Sequence, residues 1–182
     1  MEEQHCEKLY RKLKSGNKPF LIAGPCVIES LDHSLFMAEN LKKIAAKHNI
    51  DFIFKSSFDK ANRTKLKNYR GLGLKKSIEI FEKIKEKVDV NICTDFHEPW
   101  QAKEIKNVVD IIQIPAFLCR QTDIIVAASK TNKIVNIKKG QFISGHDTDR
   151  IVDKAKASGN SKIFLTERGN TFGYGDYIVD FR

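Results

Sequence analysis

The stretch FKSSFDKANR, residues 54–63, begins at the end of an apolar run and continues with polar and charged residues. Three cations, Lys55, Lys60 and Arg63, fall within it, together with Asn62 and two serines. Cations that lie side by side repel one another by about 1 kcal/mol per close pair even where water screens them. Folded proteins accept this repulsion where an anion neutralises it, so the stretch indicates a strand whose end faces an anion.

Five further apolar runs resemble the strand that opens this stretch, and each of them ends in polar residues. The six runs are FLIAG (20–24), FIFKSS (52–57), VNICTD (90–95), DIIQIPA (110–116), KIVNIKK (133–139) and KIFLTERG (162–169). They are rich in Ile, Val and Phe and do not alternate strictly, which is typical of strands buried on both faces.

Apolar residues at helical spacing separate these strands. Helices are expected around 37–45 and 74–88, and within 121–130 and 147–159. Ser30 or Asp32 is the expected cap of the first helix. Asp147 or Thr148 is the expected cap of the last one, which Gly159 ends. Strand followed by helix, repeated six times, predicts an α/β fold with a parallel sheet wrapped by helices.

Two α/β architectures fit this order, an open doubly wound sheet and a (β/α)8 barrel. In an open sheet the ligand crevice lies at one switch point, so only nearby strands contribute to it. In a barrel the carboxyl ends of all strands surround one mouth. Chemically distinctive residues follow all six strands here, which favours the barrel. A full barrel has eight strands and about 250 residues, so only about six βα units are expected in this chain.

Length and composition are those of one soluble domain. The chain has 182 residues, of which 41% are hydrophobic and 30% charged. Residues 1–18 form a polar N-terminal extension without the apolar core of a secretory signal, and residues 19–182 form the incomplete barrel. No run approaches the ~20 apolar residues of a membrane span. We therefore expect a cytoplasmic protein with no membrane partner.

The four cysteines show no C-x-x-C spacing, so free thiols in a reducing compartment are expected. Cys93 and Cys119 lie in apolar surroundings and are assigned to the core. Cys6 lies in a tail that is expected to be mobile, and it receives no role. Cys26 follows a Gly-Pro turn at the end of the first strand. Its thiolate could bind Zn or Fe, although a small buried side chain is the commoner role of a lone cysteine.

The net charge of +9 has two interpretations, a lysine-rich surface or a field that attracts anions. Nucleic acid and small phosphorylated substrates would both be attracted. The sequence shows neither a zinc-knuckle spacing nor an aromatic-rich sheet motif of RNA-binding proteins. A basic nucleic-acid-binding domain therefore remains the less favoured alternative.

The candidate anion site combines cations from three strands, which the barrel would bring to one mouth. They are Lys55, Lys60, Arg63, Lys138 and Arg168. Arginine forks and lysine charges suit phosphate and carboxylate. The alternative is that each cation is a solvated residue at a strand end. Asp95 and His97, in TDFHE, could orient a substrate or shuttle a proton, or could simply cap their strand.

Seven motifs occur in order and at matching spacing. They are FLIAGPCVIES, FKSSFDKANR, YRGLGL, TDFHE, IIQIPAFLCRQTD, NIKKGQF and LTERGNTFGYGDYIVDFR. Together they resemble the 3-deoxy-D-manno-octulosonate 8-phosphate synthase family, from about Pro19 to Arg182. The related synthase of the aromatic pathway shares the barrel and the Gly-Pro-Cys turn but not DKANR.

The resemblance implies a (β/α)8 barrel that assembles as a homotetramer. It implies the condensation of phosphoenolpyruvate with D-arabinose 5-phosphate and water, with release of phosphate, in lipopolysaccharide biosynthesis. Around the phosphate and carboxylate of phosphoenolpyruvate it places Lys55, Lys60, Gln113, Lys138 and Arg168. For the sugar phosphate it implies Asn62, Arg63 and Thr64, with Arg63 serving a neighbouring subunit, and it adds Phe117 to the substrate-binding residues. Asp95 and His97 are implied to lie beside the reacting carbons.

The family has one branch with Asn at the position of Cys26, which needs no metal, and one branch with Cys, which binds a divalent metal such as Zn, Fe or Mn. Cys26 therefore implies the metal-type branch. The His, Glu and Asp ligands of that branch come from the last quarter of the barrel and are absent here. We therefore expect an incomplete metal site, impaired or absent activity of this chain alone, and a C-terminally truncated synthase or an inactive fragment of one.

Overall fold

The computed structural model of the protein describes residues 2–171, 176–179 and 181. Positions 172–175, 180 and 182, which belong to the last sequence motif, lie outside the described residues.

Helices and strands alternate along the chain after an N-terminal helix. In order they are α1 (Glu2–Lys14), β1 (Phe20–Ala23), α2 (Leu31–Lys47), β2 (Asp51–Lys55), α3 (Leu74–Val88), β3 (Asn91–Asp95), α4 (Pro99–Ile105), β4 (Ile111–Ile114), α5 (Thr122–Ser129), β5 (Ile134–Lys138), α6 (Thr148–Ala157) and β6 (Ile163–Thr166). A 3₁₀ turn, Ala116–Leu118, follows β4. The six predicted strands and the four predicted helices are all confirmed.

The predicted helix ends are confirmed at α2 and α6. The Ser30 side chain accepts a hydrogen bond from the His33 backbone N–H at the start of α2. Asp147 occupies the cap position of α6, but its carboxylate accepts from Ser144 rather than from the helix. Gly159 follows the end of α6 with φ +96°, a conformation that favours glycine.

All six strands are parallel and pair in chain order, β1-β2-β3-β4-β5-β6. A doubly wound sheet would reverse its strand order at a switch point, and no reversal occurs here. The strands therefore form part of a (β/α)8-type barrel, as predicted, with helices between successive strands.

The outer strands differ from the prediction that every strand is buried on both faces. Strands β4 and β5 are almost wholly buried, but Leu21 in β1 is 37% exposed and Leu165 in β6 is 45% exposed. The physical reason is that β1 and β6 are the edges of the sheet, so each has a neighbouring strand on one side alone.

Three aromatic rings form contacts between these two edges at the amino ends of the strands. The ring of Phe164 in β6 lies 5.4 Å from that of Phe20 in β1 and 5.2 Å from that of Tyr10 in α1. The Tyr10 hydroxyl also donates to the Ile163 carbonyl oxygen. The sheet is therefore curled, and α1 covers its base.

The expectation that Cys6 lies in a mobile tail is wrong. Cys6, Leu9 and Leu13 are buried on one face of α1, and Leu9 and Leu13 pack against strand residues such as Ile53 and Ile134. Their spacing of three and four residues was a helical signal, hidden among the charged residues of this segment. Lys12 also forms an ion pair with Asp51 at the start of β2.

The main core lies between the outer face of the sheet and the helices. Cys93 and Cys119 are fully buried, as predicted. Burial raises the pKa of Cys93 to about 12, so its thiol stays protonated. In the described part of the chain no helix is both long and apolar enough to cross a bilayer.

Replacing Phe81 by Ala should destabilise the protein strongly, because this α3 side chain is 0% exposed within the core. Loss of a buried phenyl ring costs about 3–5 kcal/mol. The matched control is Phe36→Ala in α2, where the ring is 63% exposed and the expected change is within about 0.5 kcal/mol. Urea denaturation measures both, and equal losses would contradict this description of the core.

Candidate functional site

A cavity of about 440 Å³ lies at the carboxyl ends of the strands. Nine of the residues predicted from the sequence line it: Lys55, Lys60, Asn62, Asp95, His97, Gln113, Phe117, Lys138 and Arg168. They come from the ends of five strands, β2 to β6, or from the loops that follow them. The lining also includes Ala61, Glu98, Pro115, Ala116 and Leu118. The fold therefore brings these side chains to one opening, as the barrel predicts.

Three predicted residues do not line this cavity, namely Cys26, Arg63 and Thr64. All three are exposed. The guanidinium of Arg63 donates to the Tyr69 carbonyl oxygen of its own loop at 2.9 Å. The same loop is closed by the ion pair between Asp59 and Arg70.

Asp95, at the end of β3, is the centre of the polar network in the cavity. Its Oδ1 lies 3.0 Å from Lys55 Nζ and accepts a hydrogen bond from the Ser57 hydroxyl. Its Oδ2 lies 3.2 Å from His97 Nε2. The Ser57 hydroxyl in turn accepts from Lys55 Nζ and Lys60 Nζ, each at 2.9 Å. One carboxylate and one hydroxyl thus hold two lysines in fixed positions.

These contacts control the ionisation of Asp95. Burial alone would raise its pKa, because the charged form loses water. The hydrogen bond with His97, the charge of Lys55 and the hydrogen bond from Ser57 outweigh burial and hold the pKa of Asp95 well below its usual range. Asp95 is therefore an anion at neutral pH and an acceptor for its neighbours.

Lys138, at the end of β5, has the opposite electrostatic environment. Burial lowers the pKa of Lys138, and the charges of Arg168 and Lys55 lower it further. Its ammonium is thus repelled by other cations, and Asp95 offsets only part of that repulsion. An anion bound in the cavity would relieve this strain, because opposite charge favours the protonated form.

A chain of hydrogen-bonded side chains crosses from β4 to β6 below Lys138, which lies two residues after Asn136 on β5. The Asn136 amide donates to Gln113 Oε1 at 3.2 Å, and the Thr166 hydroxyl donates to Asn136 Oδ1 at 2.8 Å. Because Gln113 accepts with its carbonyl oxygen, its amide N–H groups remain as donors toward the cavity.

The end of β1 approaches β2 closely at Gly24. A Cβ built at Gly24 would lie 2.1 Å from the Lys55 carbonyl oxygen, so only glycine fits there. This contact explains the glycine of the Gly-Pro-Cys turn. Two residues after the turn's proline, Val27 forms an isolated parallel bridge with Ser57 after β2, and Cys26, between that proline and Val27, is exposed.

The described residues do not fit a metal site. Cys26 is exposed, and no group of three or more His, Cys, Asp or Glu side chains in the described ranges could hold a metal ion. A catalytic metal normally has three protein ligands. No chemical step is therefore assigned to a metal here.

Ser57 and Glu98 were not among the site residues predicted from the sequence. Ser57 stood within the quoted strand-end stretch, but its position between two lysines and Asp95 depends on the approach of β2 to β3. Glu98 lines the cavity and occupies the cap position just before α4, where its backbone N–H donates to Gln101 Oε1. The Glu-Pro-x-Gln pattern was the available signal for this short helix.

Comparison with known proteins agrees with the sequence resemblance. A model of the DAHP synthetase I family matches residues 8–180. Three relatives are each named 2-dehydro-3-deoxyphosphooctonate aldolase. They come from Rickettsia canadensis (54% identical, covering 93% of this chain and 63% of the relative), Koribacter versatilis (51%, 92% and 60%) and Pisum sativum (52%, 96% and 60%). The chain thus spans about three fifths of the length of these relatives.

Asp95 should make the stability of the protein depend on acid pH. Because its folded pKa is lowered, its contribution is fully present above its unfolded pKa of about 4 and is lost as the pH falls toward the folded pKa. Asp95→Asn should therefore lower the free energy of unfolding at about pH 6, and the gap to the unmodified protein should shrink toward about pH 3.

Urea denaturation at several pH values measures this gap. Asp153→Asn, which removes an exposed carboxylate on α6, is the matched control and should show no such gap. A gap for Asp95→Asn that stays constant with pH would contradict the assigned ionisation.

Proposed function

The chain belongs to the DAHP synthetase I family, and from that premise we propose that its cavity is the substrate site of a 3-deoxy-8-phosphooctulonate synthase. This enzyme condenses phosphoenolpyruvate with D-arabinose 5-phosphate and water, and it yields 3-deoxy-D-manno-octulosonate 8-phosphate and phosphate for lipopolysaccharide biosynthesis. The names of the relatives and the DKANR stretch support this member of the family over the aromatic-pathway synthase.

One observation carries the proposal: Lys55, Lys60, Lys138 and Arg168 line one cavity. Two carboxylates, Asp95 and Glu98, line the same cavity, so a net positive charge remains. Phosphoenolpyruvate carries a phosphate and a carboxylate, which match this excess. Because the site is partly buried, Coulomb attraction there is stronger than in bulk water.

Within the proposed site, Lys138 and Arg168 lie on the β5 and β6 side, and Lys55 and Lys60 lie on the β2 side. We assign these four cations, with the Gln113 amide, to the phosphate and carboxylate of phosphoenolpyruvate. Asn62 lines the same cavity and is assigned with Thr64 to the sugar phosphate, whereas Arg63 is assigned to the sugar phosphate of a neighbouring subunit. Phe117 provides an apolar wall.

In the proposed reaction, C3 of the enol attacks the aldehyde carbon while water adds at C2, and the C2–O bond to phosphate then breaks. Positive charge that develops at C2 is stabilised by a nearby anion, and the ionised Asp95 is suited to that task. The cations hold the departing phosphate. Charges already fixed by Ser57 and Asp95 need no reorganisation during the reaction, which is the main source of electrostatic catalysis.

His97 is the proposed proton carrier. Its Nε2 contacts Asp95, and its Nδ1 is buried with no hydrogen-bond partner among the described residues. The aldehyde oxygen needs a proton when it becomes a hydroxyl, and the attacking water must lose one. An imidazole oriented by a carboxylate can move a proton in either direction.

We further propose a homotetramer that works in the cytoplasm. Arg63 lies outside the cavity of its own chain, as a residue that serves a neighbouring subunit would. Phe117 and Phe142 are more than half exposed, at 58% and 54%, and are suited to a subunit contact. The four free cysteines agree with a reducing compartment. Cys26 remains a candidate ligand for a divalent metal only if further ligands complete the site.

Phosphoenolpyruvate should bind to the purified chain, and Lys138→Met should weaken this binding about tenfold or more, since a charge-assisted contact is lost. Lys130→Met, which removes an exposed lysine after α5, is the matched control and should bind as the unmodified chain does. Isothermal titration calorimetry at a fixed salt concentration measures the phosphoenolpyruvate affinity of all three proteins.

Phosphate release from the two substrates, with and without added divalent metal, tests the activity itself. The proposal fails if phosphoenolpyruvate does not bind while random duplex DNA binds with steep salt dependence, because that result indicates a nucleic-acid-binding domain.

A further inference from the structure

Lys139 is a buried lysine that the proposed mechanism does not use. It is 2% exposed, although it directly follows Lys138 at the end of β5. Successive side chains of a strand point to opposite faces of the sheet, and Lys138 lines the cavity while Lys139 does not. Burying an ammonium group is costly unless it is fully paired. The partners of Lys139 therefore indicate which part of the structure it stabilises.

The partners of Lys139 belong to two different loops. Its Nζ donates to the carbonyl oxygens of Gly140 and Ile143, each at 3.1 Å, in the loop after β5. It also donates to the Gly169 carbonyl oxygen at 3.1 Å and to Asn170 Oδ1 at 2.9 Å, in the loop after β6. An ammonium has three N–H donors, so these four acceptors saturate it.

The β6 loop held in this way carries Arg168. On one side of Arg168 is Gly169, whose carbonyl oxygen accepts from Lys139. On the other side is Glu167, whose Oε1 lies 3.6 Å from Lys139 Nζ and accepts from the backbone N–H groups of Arg168 and Gly169. The residues on both sides of Arg168, Glu167 and Gly169, therefore both interact with the buried ammonium group of Lys139.

Asn170 adds a second tie between the same loops. Its amide Nδ2 donates to the Ile143 carbonyl oxygen at 2.6 Å, while its Oδ1 accepts from Lys139. Neither Asn170 nor Lys139 lines the cavity. Both can therefore be changed without removing a group from the cavity wall.

We infer that Lys139 is a positioning residue that fixes Arg168 in the anion site by clamping the loop after β6 to the loop after β5. The inference rests on the proposed function, since it concerns the same phosphate- and carboxylate-binding cavity. Lys139 touches no ligand. It acts by holding the Arg168 guanidinium where a bidentate contact with an anion is possible.

The test measures phosphoenolpyruvate binding by titration calorimetry for the unmodified chain, Lys139→Met, Arg168→Gln and the double variant. Each single change should weaken binding about tenfold, the loss expected when one bidentate contact disappears. The double variant should also lose about tenfold rather than about a hundredfold, because residues that act as a unit are not additive.

Lys60→Met is the matched control for this cycle, because Lys60 lines the cavity from the loop after β2 and does not contact Lys139. Its loss should add to that of Lys139→Met, so that the combined variant binds about a hundredfold more weakly. A merely structural role of Lys139 would affect both cycles alike and would overturn the inference.

Asn170→Ala provides a second route if Lys139→Met does not fold, since it removes two of the hydrogen bonds between the loops while three carbonyl acceptors remain for the three N–H donors of Lys139. It should weaken binding severalfold and be non-additive with Arg168→Gln. Circular dichroism and thermal unfolding verify the fold of each variant.

The outcomes separate the two proposals. If the unmodified chain binds phosphoenolpyruvate and both Lys139→Met and Asn170→Ala bind equally well, the inference is overturned while the proposed function stands. If the unmodified chain does not bind, the proposed function is overturned and the inference with it.

Discussion

The arrangement of the cavity depends on the ionic and hydrogen-bond contacts of one buried carboxylate, that of Asp95. Lys55 and His97 contact it directly, and Lys60 is linked to it through the Ser57 hydroxyl. Without this anion Lys55 at the end of β2 and Lys60 in the loop after it would repel one another and would lack a common anchor. With it, they remain oriented toward a cavity that still carries excess positive charge. An anionic ligand would then complete the neutralisation that Asp95 begins.

The parallel order of the strands supplies the second condition. Because each strand pairs with the next in sequence, all six carboxyl ends lie on one side of the sheet. Curling of the sheet, with Phe20, Tyr10 and Phe164 in contact at the base, brings the ends of distant strands to one opening. Lys55 from β2 and Arg168 after β6 thereby line the same cavity, although they are 113 residues apart in the sequence (168 minus 55). Buried ties such as that of Lys139 then hold neighbouring loops in register.

Much of this was predictable from local patterns. Strands of Ile, Val and Phe, helical spacing and the Ser30 cap are properties of short segments, and all were confirmed. The short helix α4 was missed because seven residues are too few to show a helical period. The N-terminal helix was misjudged because its apolar face is narrow, and the burial of Cys6, Leu9 and Leu13 on that face depends on the base of the sheet. The solvent exposure of Leu21 and Leu165 could not be predicted, because it depends on which strands lie at the edges of the sheet.

The sequence by itself determined the six strands, the four helices α2, α3, α5 and α6 and the residue types at each strand end, because backbone propensity and hydrophobic period act over a few residues. It also carried the family resemblance and nine of the residues that line the cavity. Only the tertiary structure decided that Ser57 links Lys55 and Lys60 to Asp95, that Arg63 turns back to its own loop, and that Lys139 is buried while Lys138 lines the site. These features depend on distances between segments far apart in the chain, and no local pattern encodes such distances.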